Sequence, residues 1–140
     1  MKSSTRNQLC GMIKNIHHYH DLHILAIDIN GLTIYAELNS FAYQNLSVDP
    51  DKPTMVFIKA PHVSVMTDLP PFRLSAENQI KGIIKKIETG AVNTLIELLT
   101  ESGHSLFSVI TVGSCETLQL KTGQSVYAVF RANQVVIAQT

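Results

Sequence analysis

The stretch Arg6-Asn7-Gln8-Leu9-Cys10-Gly11-Met12-Ile13 has a near copy at Glu77-Asn78-Gln79-Ile80-Lys81-Gly82-Ile83-Ile84. Asn-Gln, the apolar residue after it and the glycine superpose at an offset of 71 residues, Asn7 on Asn78. After a single-residue adjustment the offset becomes 72 and holds to the end of the chain. Gly31 then meets Gly103, Leu46 meets Leu118, Ala60 meets Ala132, Val63 meets Val135, and Lys59 meets the like-charged Arg131. Self-similarity in one register over a whole chain marks a duplicated structural unit. The chain therefore divides into a first unit, 1–66, a linker, 67–73, and a second unit, 74–140. The linker contains Pro70-Pro71, a pair that disfavours regular structure.

Each unit reads as short strands. His23–Ile29 is apolar and β-branched, Asn30-Gly31 is a turn signal, and Leu32–Leu38 follows, so a hairpin is expected. The second unit repeats this as Thr94–Leu99, Ser102-Gly103 and Ser105–Ile110, and it closes with the pair Val126–Phe130 and Val135–Ala138. The only helical candidates are short, Ser40–Leu46 and Ser114–Leu118. About five antiparallel strands in a unit of under seventy residues predict an all-β protein of two tandem OB-like five-stranded barrels. So small a unit has a marginal core, for which duplication and dimerisation are remedies.

Composition sets outer limits on function. Of 140 residues, 45% are hydrophobic and 16% charged, which supports a folded core and argues against disorder. Eleven basic residues balance eleven acidic ones. That argues against a chain whose bulk charge captures nucleic acid or an anionic membrane, yet leaves room for a local anion site. The two cysteines, Cys10 and Cys115, read as small apolar side chains of a reduced cytoplasmic protein. The N-terminus lacks the apolar core of a signal peptide, and no stretch approaches a membrane span.

Three short patterns carry potential chemistry. In Ser4-Thr5-Arg6-Asn7 an extended chain turns Ser4 and Arg6 to one face. There they join a hydroxyl donor to a planar charged fork suited to tetrahedral oxyanions. Lys59-Ala60 ends an expected strand and offers a second cation. Thr111-Val112-Gly113-Ser114 runs from a strand end into a short helix, with hydroxyls and backbone N–H groups as donors; by itself it also reads as a plain helix cap. No nucleophile–base pairing is legible. The segment His17-His18-Tyr19-His20-Asp21-Leu22-His23 is rich in metal-ligand types. It has no recognised spacing of a closed zinc site, and His17, His18, His20 and His23 read as a solvated hairpin connection.

Together, Ser-Thr-Arg-Asn-Gln followed by a glycine, the Thr-x-x-Ser strand end and the later Lys-Ala resemble the Mop motifs of molybdate-binding (Mop/TOBE-type) domains. The duplicated form resembles the di-Mop ligand-binding region of ModE-type molybdate-dependent transcription regulators. The likeness covers almost the whole chain, including Ile58–Val63, Ile87-Glu88-Thr89-Gly90-Ala91 and Val136-Ile137-Ala138. It implies a non-enzymatic protein with no cofactor, whose ligand is molybdate or tungstate. It also implies a site at a dimer interface in the first unit, using Ser4, Arg6, Lys59 and Ala60. Where the family has Thr-x-x-Ser, the first unit has Asn39-Ser40-Phe41-Ala42, so the expected donors are the Asn39 amide, the Ser40 hydroxyl and the Ala42 N–H. The second unit keeps Thr111 and Ser114 and has Arg131-Ala132 for Lys-Ala, but carries Glu77 where the arginine belongs. A composite site of Ser4 and Arg6 with Thr111 and Ser114 stays open beside the first-unit assignment.

The expected role is the ligand-sensing module of a molybdate-responsive regulator, with stand-alone molybdate storage as the alternative. An OB-type nucleic-acid binder is a rival from another class. Its signs would be a basic groove with surface aromatics, and the balanced charge and lack of Trp weigh against it. A symmetric homodimer is expected to cover exposed strand edges, with no membrane and no direct nucleic-acid contact.

Overall fold

The computed structural model describes residues 3–68 and 73–140. The linker prolines Pro70 and Pro71 lie outside the described residues. The first half comprises β1 (Asn7–His18), β2 (Leu22–Ile29), β3 (Leu32–Asn39), α1 (Ser40–Leu46), β4 (Thr54–Ile58) and β5 (Ser64–Met66). The second repeats the series as β6 (Asn78–Thr89), β7 (Asn93–Thr100), β8 (Ser105–Thr111), α2 (Val112–Thr117), β9 (Ser125–Phe130) and β10 (Val136–Ala138). One-turn 3-10 helices at Ala60–His62 and Ala132–Gln134 link β4 to β5 and β9 to β10. The expected all-β fold is present. The helix expected over 40–46 has those bounds, and the one expected over 114–118 starts earlier, at Val112.

The single-residue adjustment in the repeat lies in the β2–β3 turn. In the first half Ile29 pairs with Leu32, leaving only Asn30-Gly31 between the strands, both at positive φ (46° and 93°). That is the backbone twist a two-residue hairpin favours. In the second half the corresponding connection is longer, with Leu99 paired to Ser105 and Gly103 at φ 86°.

The long strands β1 and β6 organise the two sheets. Near its start β1 pairs with β4, from Asn7 opposite Ile58 to Gly11 opposite Thr54. Beyond that it pairs with β2, with a register shift between Ile13 and Asn15. β6 has its shift between Ile84 and Lys86. A bulge of this kind bends a strand, so one strand serves two partners. At the bend β1 runs close over β2: a Cβ on Gly11 would lie 2.2 Å from the Asp28 carbonyl oxygen, so only glycine fits.

The closing strands were expected to pair with each other, and here the structure corrects the sequence reading. β9 lies between β5 and β6, while β10 lies on the outer side of β4. The sheet orders are β10-β4-β1-β2-β3 and β5-β9-β6-β7-β8, so each sheet takes its last strand from the other half. Ser64–Met66 pairs with Tyr127–Val129, and Val136–Ala138 pairs with Met55–Phe57. The 3-10 turns redirect the chain out of its own sheet. The exchange buries Val63, Val65, Val135 and Ile137 in one hydrophobic cluster that draws on both halves. Sharing a core in this way offsets the marginal burial of a unit this small.

The repeated Asn-Gln has a structural role at this junction. Asn7 and Asn78 are each 2% exposed. The Asn7 amide donates to the carbonyl of Phe107 (2.9 Å) and that of Ile58 (3.2 Å), and its Oδ1 accepts from Phe107 N–H (2.7 Å). Asn78 does the same to Tyr35, accepting from its N–H (2.8 Å) and donating to its carbonyl (3.0 Å). Each amide stands in for a strand neighbour on the edge of the opposite half. Gln8 and Gln79 then fasten their own segments, donating to the carbonyls of Thr5 and Ala76, both at 2.9 Å.

Asn7→Ala leaves the Phe107 N–H and carbonyl without partners, and each unpaired backbone group costs about 1–3 kcal/mol. Urea denaturation of Asn7→Ala and of Asn78→Ala is expected to show a loss of roughly 2–4 kcal/mol for each. A loss below about 0.5 kcal/mol, the range of ordinary surface substitutions, would remove the asparagines from this role.

Candidate functional site

Because Asn7 pairs with Ile58, Arg6 and Lys59 stand opposite one another, one step beyond the end of the β1–β4 ladder. Both are exposed, and Ala60, at the start of the 3-10 turn, is buried. In the second half Asn78 pairs with Phe130, so Glu77 and Arg131 take the equivalent places. The paired ladder-end positions therefore differ in charge: two cations at the first end, one of each sign at the second.

The Thr-x-x-Ser segment is a helix cap whose hydroxyls meet. Thr111 Oγ1 accepts from Ser114 N–H (3.0 Å) and donates to Ser114 Oγ (2.8 Å). Asn39 caps α1 in the same way, with Oδ1 accepting from Ala42 N–H (2.8 Å). The Ala42 N–H is thus already engaged, and Ser40 Oγ lies 3.2 Å from His23 Nε2.

The strand exchange decides which of these residues meet. The 3-10 turn after Lys59 packs on β8 of the other half, where the Ser108 hydroxyl donates to the Val63 carbonyl. Arg6 lines a groove with Glu88, Asn93, Leu95 and Val109, and Asn93 is the strand partner of Thr111. Arg6 and Lys59-Ala60 from the first half are therefore drawn to β8, the strand that ends at Thr111 and runs into the α2 turn carrying Ser114. Conversely, the turn after Arg131 packs on β3, and Asn39 and Ala42 share a groove with Asn133 and Val135. Asn39, Ser40 and Ala42 thus lie with the Arg131-Ala132 turn, away from the grooves that Arg6 lines.

Two features of these ends were not noted from the sequence. Ser75 stands at the repeat offset from Ser4, so both halves keep the serine; extending the 71-residue offset three positions upstream of the asparagines reveals it. And Glu77 Oε1 accepts from the Ala132 N–H (2.9 Å). Ala60 makes no such bond, because its counterpart of Glu77 is Arg6.

Around Arg6 the surface is ionic. Lys86 donates to Glu88 (2.6 Å). That hydrogen bond and the Lys86 charge hold the Glu88 carboxyl below the usual carboxylate range, with Arg6 adding to the effect, and Glu88 in turn raises Lys86. The histidines form a separate cluster. His18 Nδ1 and His23 Nδ1 are 2.7 Å apart, and Tyr43 stacks on His23 at 4.2 Å between centroids. His17 lies 3.2 Å from the Asn15 amide, and His20 is exposed in the turn. Among the described residues no group of three or more His, Cys, Asp or Glu is placed to hold a metal ion. No helix there is long and apolar enough to cross a membrane.

The TOBE domain family model matches residues 3–65 and again 74–137. The chain belongs to the TOBE domain family. This tandem TOBE chain is 32% identical over 139 residues to the molybdenum transport protein ModE of Herbaspirillum seropedicae, covering 99% of the chain and 52% of that protein. It is 30% identical over 140 residues to the DNA-binding transcriptional dual regulator ModE of Escherichia coli (strain K12), with 99% and 52% covered. The TOBE pair thus spans about half the length of these curated relatives. Its backbone also superposes on a crystal structure of the cytoplasmic molybdate-binding protein ModG with molybdate bound. There the TM-score is 0.91 and the identity 32%, with 99% of both chains covered. These relatives are described as transport, regulatory and binding proteins, and none of them as an enzyme.

The two caps differ in residue but share a geometry, so they should exchange. Thr111→Ala is expected to cost about 1 kcal/mol in thermal or urea unfolding, while Thr111→Asn, the residue of the first half's cap, should stay within about 0.5 kcal/mol of the parent. An Asn variant as unstable as the Ala variant would contradict the shared cap.

Proposed function

We propose that the chain binds molybdate or tungstate, without catalysis and without a cofactor, at a composite site contributed by both halves. The residues of that site are Ser4 and Arg6, Lys59 and Ala60, and Thr111 with Ser114. What supports this reading is the convergence of Arg6 and the Lys59-Ala60 turn on the β8 end. That grouping unites the whole Ser-x-Arg, Lys-Ala and Thr-x-x-Ser set, although neither half carries it alone. A tetrahedral dianion needs converging donors and partial charge compensation once water is removed. Arg6 and Lys59 supply the charge, the Ser4 and Ser114 hydroxyls supply neutral donors, Thr111 positions Ser114 by donating to its Oγ, and the Ala60 N–H adds a backbone donor. Hydrogen bonds to a charged group contribute roughly 1.5–3 kcal/mol each, so a handful reach micromolar affinity after the costs of association.

The setting we propose is a ligand-sensing module of a molybdate-responsive regulator, in keeping with the half-length match to ModE. A second reading, stand-alone cytoplasmic molybdate binding, is favoured by the match along 99% of ModG. Immunodetection of the native gene product separates them. A species near 15.5 kDa fits the stand-alone protein, and one about twice as large fits the regulator. We also propose that the chain self-associates as a symmetric homodimer. The groove between α1 and β10, where Phe41 is 78% and Val136 61% exposed, is an apolar surface suited to such a contact. A monomeric mass at micromolar concentration, with and without molybdate, would contradict it.

Calorimetric titration tests the site. Arg6→Ala, Lys59→Ala and Ser114→Ala are each expected to weaken molybdate binding roughly 10–100-fold, the loss of one charge-assisted hydrogen bond. Thr111→Asn should weaken it at unchanged stability, and Asn39→Ala should leave it unaltered. If Asn39→Ala costs as much as Arg6→Ala while Ser114→Ala is silent, the composite site is wrong and the first-unit site replaces it. Tungstate is expected to bind like molybdate and sulfate much less, because the smaller anion leaves donors unpaired; equal affinity for sulfate would contradict the selectivity.

A further inference from the structure

The second end of the molecule repeats the geometry of the first with different chemistry. Ser75, Glu77, the Arg131-Ala132 turn and the Asn39–Ala42 cap stand where Ser4, Arg6, the Lys59-Ala60 turn and the Thr111–Ser114 cap stand. At this end Glu77 Oε1 takes the Ala132 N–H at 2.9 Å, the donor equivalent to the Ala60 N–H of the proposed site. The same carboxylate lies opposite Arg131 at the ladder end, where it cancels the one local cation. The cap differs too: Ala42 stands where the other cap has Ser114, and the hydroxyl of Ser40 lies 3.2 Å from His23 Nε2.

We infer that Glu77 is a tethered occupant of the second half's oxyanion site, so that each chain takes a single oxyanion rather than two. The inference rests on the composite site proposed above and identifies the residue that sets its stoichiometry. The physical reason is competition. A carboxylate carried on the same chain, one residue from the buried Asn78 anchor, is present at the Ala132 N–H at high effective concentration. A free dianion entering there would have to displace it and then remain beside it, and like charges disfavour that state. The first half avoids this because Arg6 follows its arm serine where Glu77 follows Ser75.

Two measurements on the full chain decide it. In the first, the Ala132 amide is followed by NMR without ligand. Glu77→Ala should shift its resonance and raise its exchange rate, whereas an unmoved resonance would show that Glu77 does not engage it in solution and would overturn the inference. In the second, sodium molybdate is titrated calorimetrically into the parent, into Glu77→Arg, and into Glu77→Arg combined with Asn39→Thr and Ala42→Ser. The parent should bind one molybdate per chain and the triple variant two, with Glu77→Arg alone showing a weaker second site. A triple variant that keeps the parent's circular dichroism and still binds one overturns the inference and leaves the proposed function standing, as does a parent that binds two. A parent that binds none refutes the proposed function, and the Ala132 amide then still reports whether Glu77 occupies its place.

Discussion

The fold depends on two buried asparagine amides that cross from each half to the strand edge of the other. A carboxamide carries a donor and an acceptor in one plane, as a peptide group does. Asn7 can therefore satisfy both the N–H and the carbonyl of Phe107, and Asn78 both those of Tyr35. Backbone groups at an exposed sheet edge either find partners or remain open to pairing with another chain. Here the partner is supplied by the repeat itself. The amides also fix where each N-terminal arm begins, and so where the residue just before each asparagine must stand. Strand exchange acts in the same direction: Gln139 accepts from Asp49 N–H (2.9 Å) and donates to Thr54 Oγ1 (2.8 Å), tying the chain's end back to its first half.

From that constraint comes a chemical inequality between the two ends. The exchange gathers arm, turn and cap from different halves, so each end mixes residues from both copies. One end thereby carries Ser4, Arg6, Lys59 and the Thr111–Ser114 cap, and the other carries Ser75, Glu77, Arg131 and the Asn39–Ala42 cap. A duplicated unit that kept its strands to itself would instead have produced two incomplete sets. The backbone geometry stays nearly symmetric while the charge does not.

Much of this was legible in the sequence. The 71- and 72-residue offsets revealed the duplication, Asn30-Gly31 marked its hairpin, and Ser40–Leu46 stood out as a short helix. The exchange was not legible, because Val135–Ala138 has the same alternation whether it pairs with β9 or with β4. Nor was the role of Asn-Gln, since a conspicuous polar pair beside Arg6 reads equally well as ligand or as structure. The grouping of site residues depends on that exchange, so Thr111 and Ser114 remained an alternative to Asn39 and Ala42. The contact of Glu77 with Ala132 spans 55 residues. Sequence identified the charge reversal but not that the carboxylate has a backbone donor of its own.

The proposed oxyanion site lies between parts of both halves, at the end that carries Arg6, Lys59, Thr111 and Ser114. Crystals grown with tungstate test it directly, because tungsten scatters anomalously and locates itself without reference to the protein. One strong anomalous peak per chain is expected within hydrogen-bonding reach of Arg6, the Ala60 N–H and the Ser114 hydroxyl. A peak beside Asn39 and Ala42, with none at the Thr111–Ser114 cap, would contradict it.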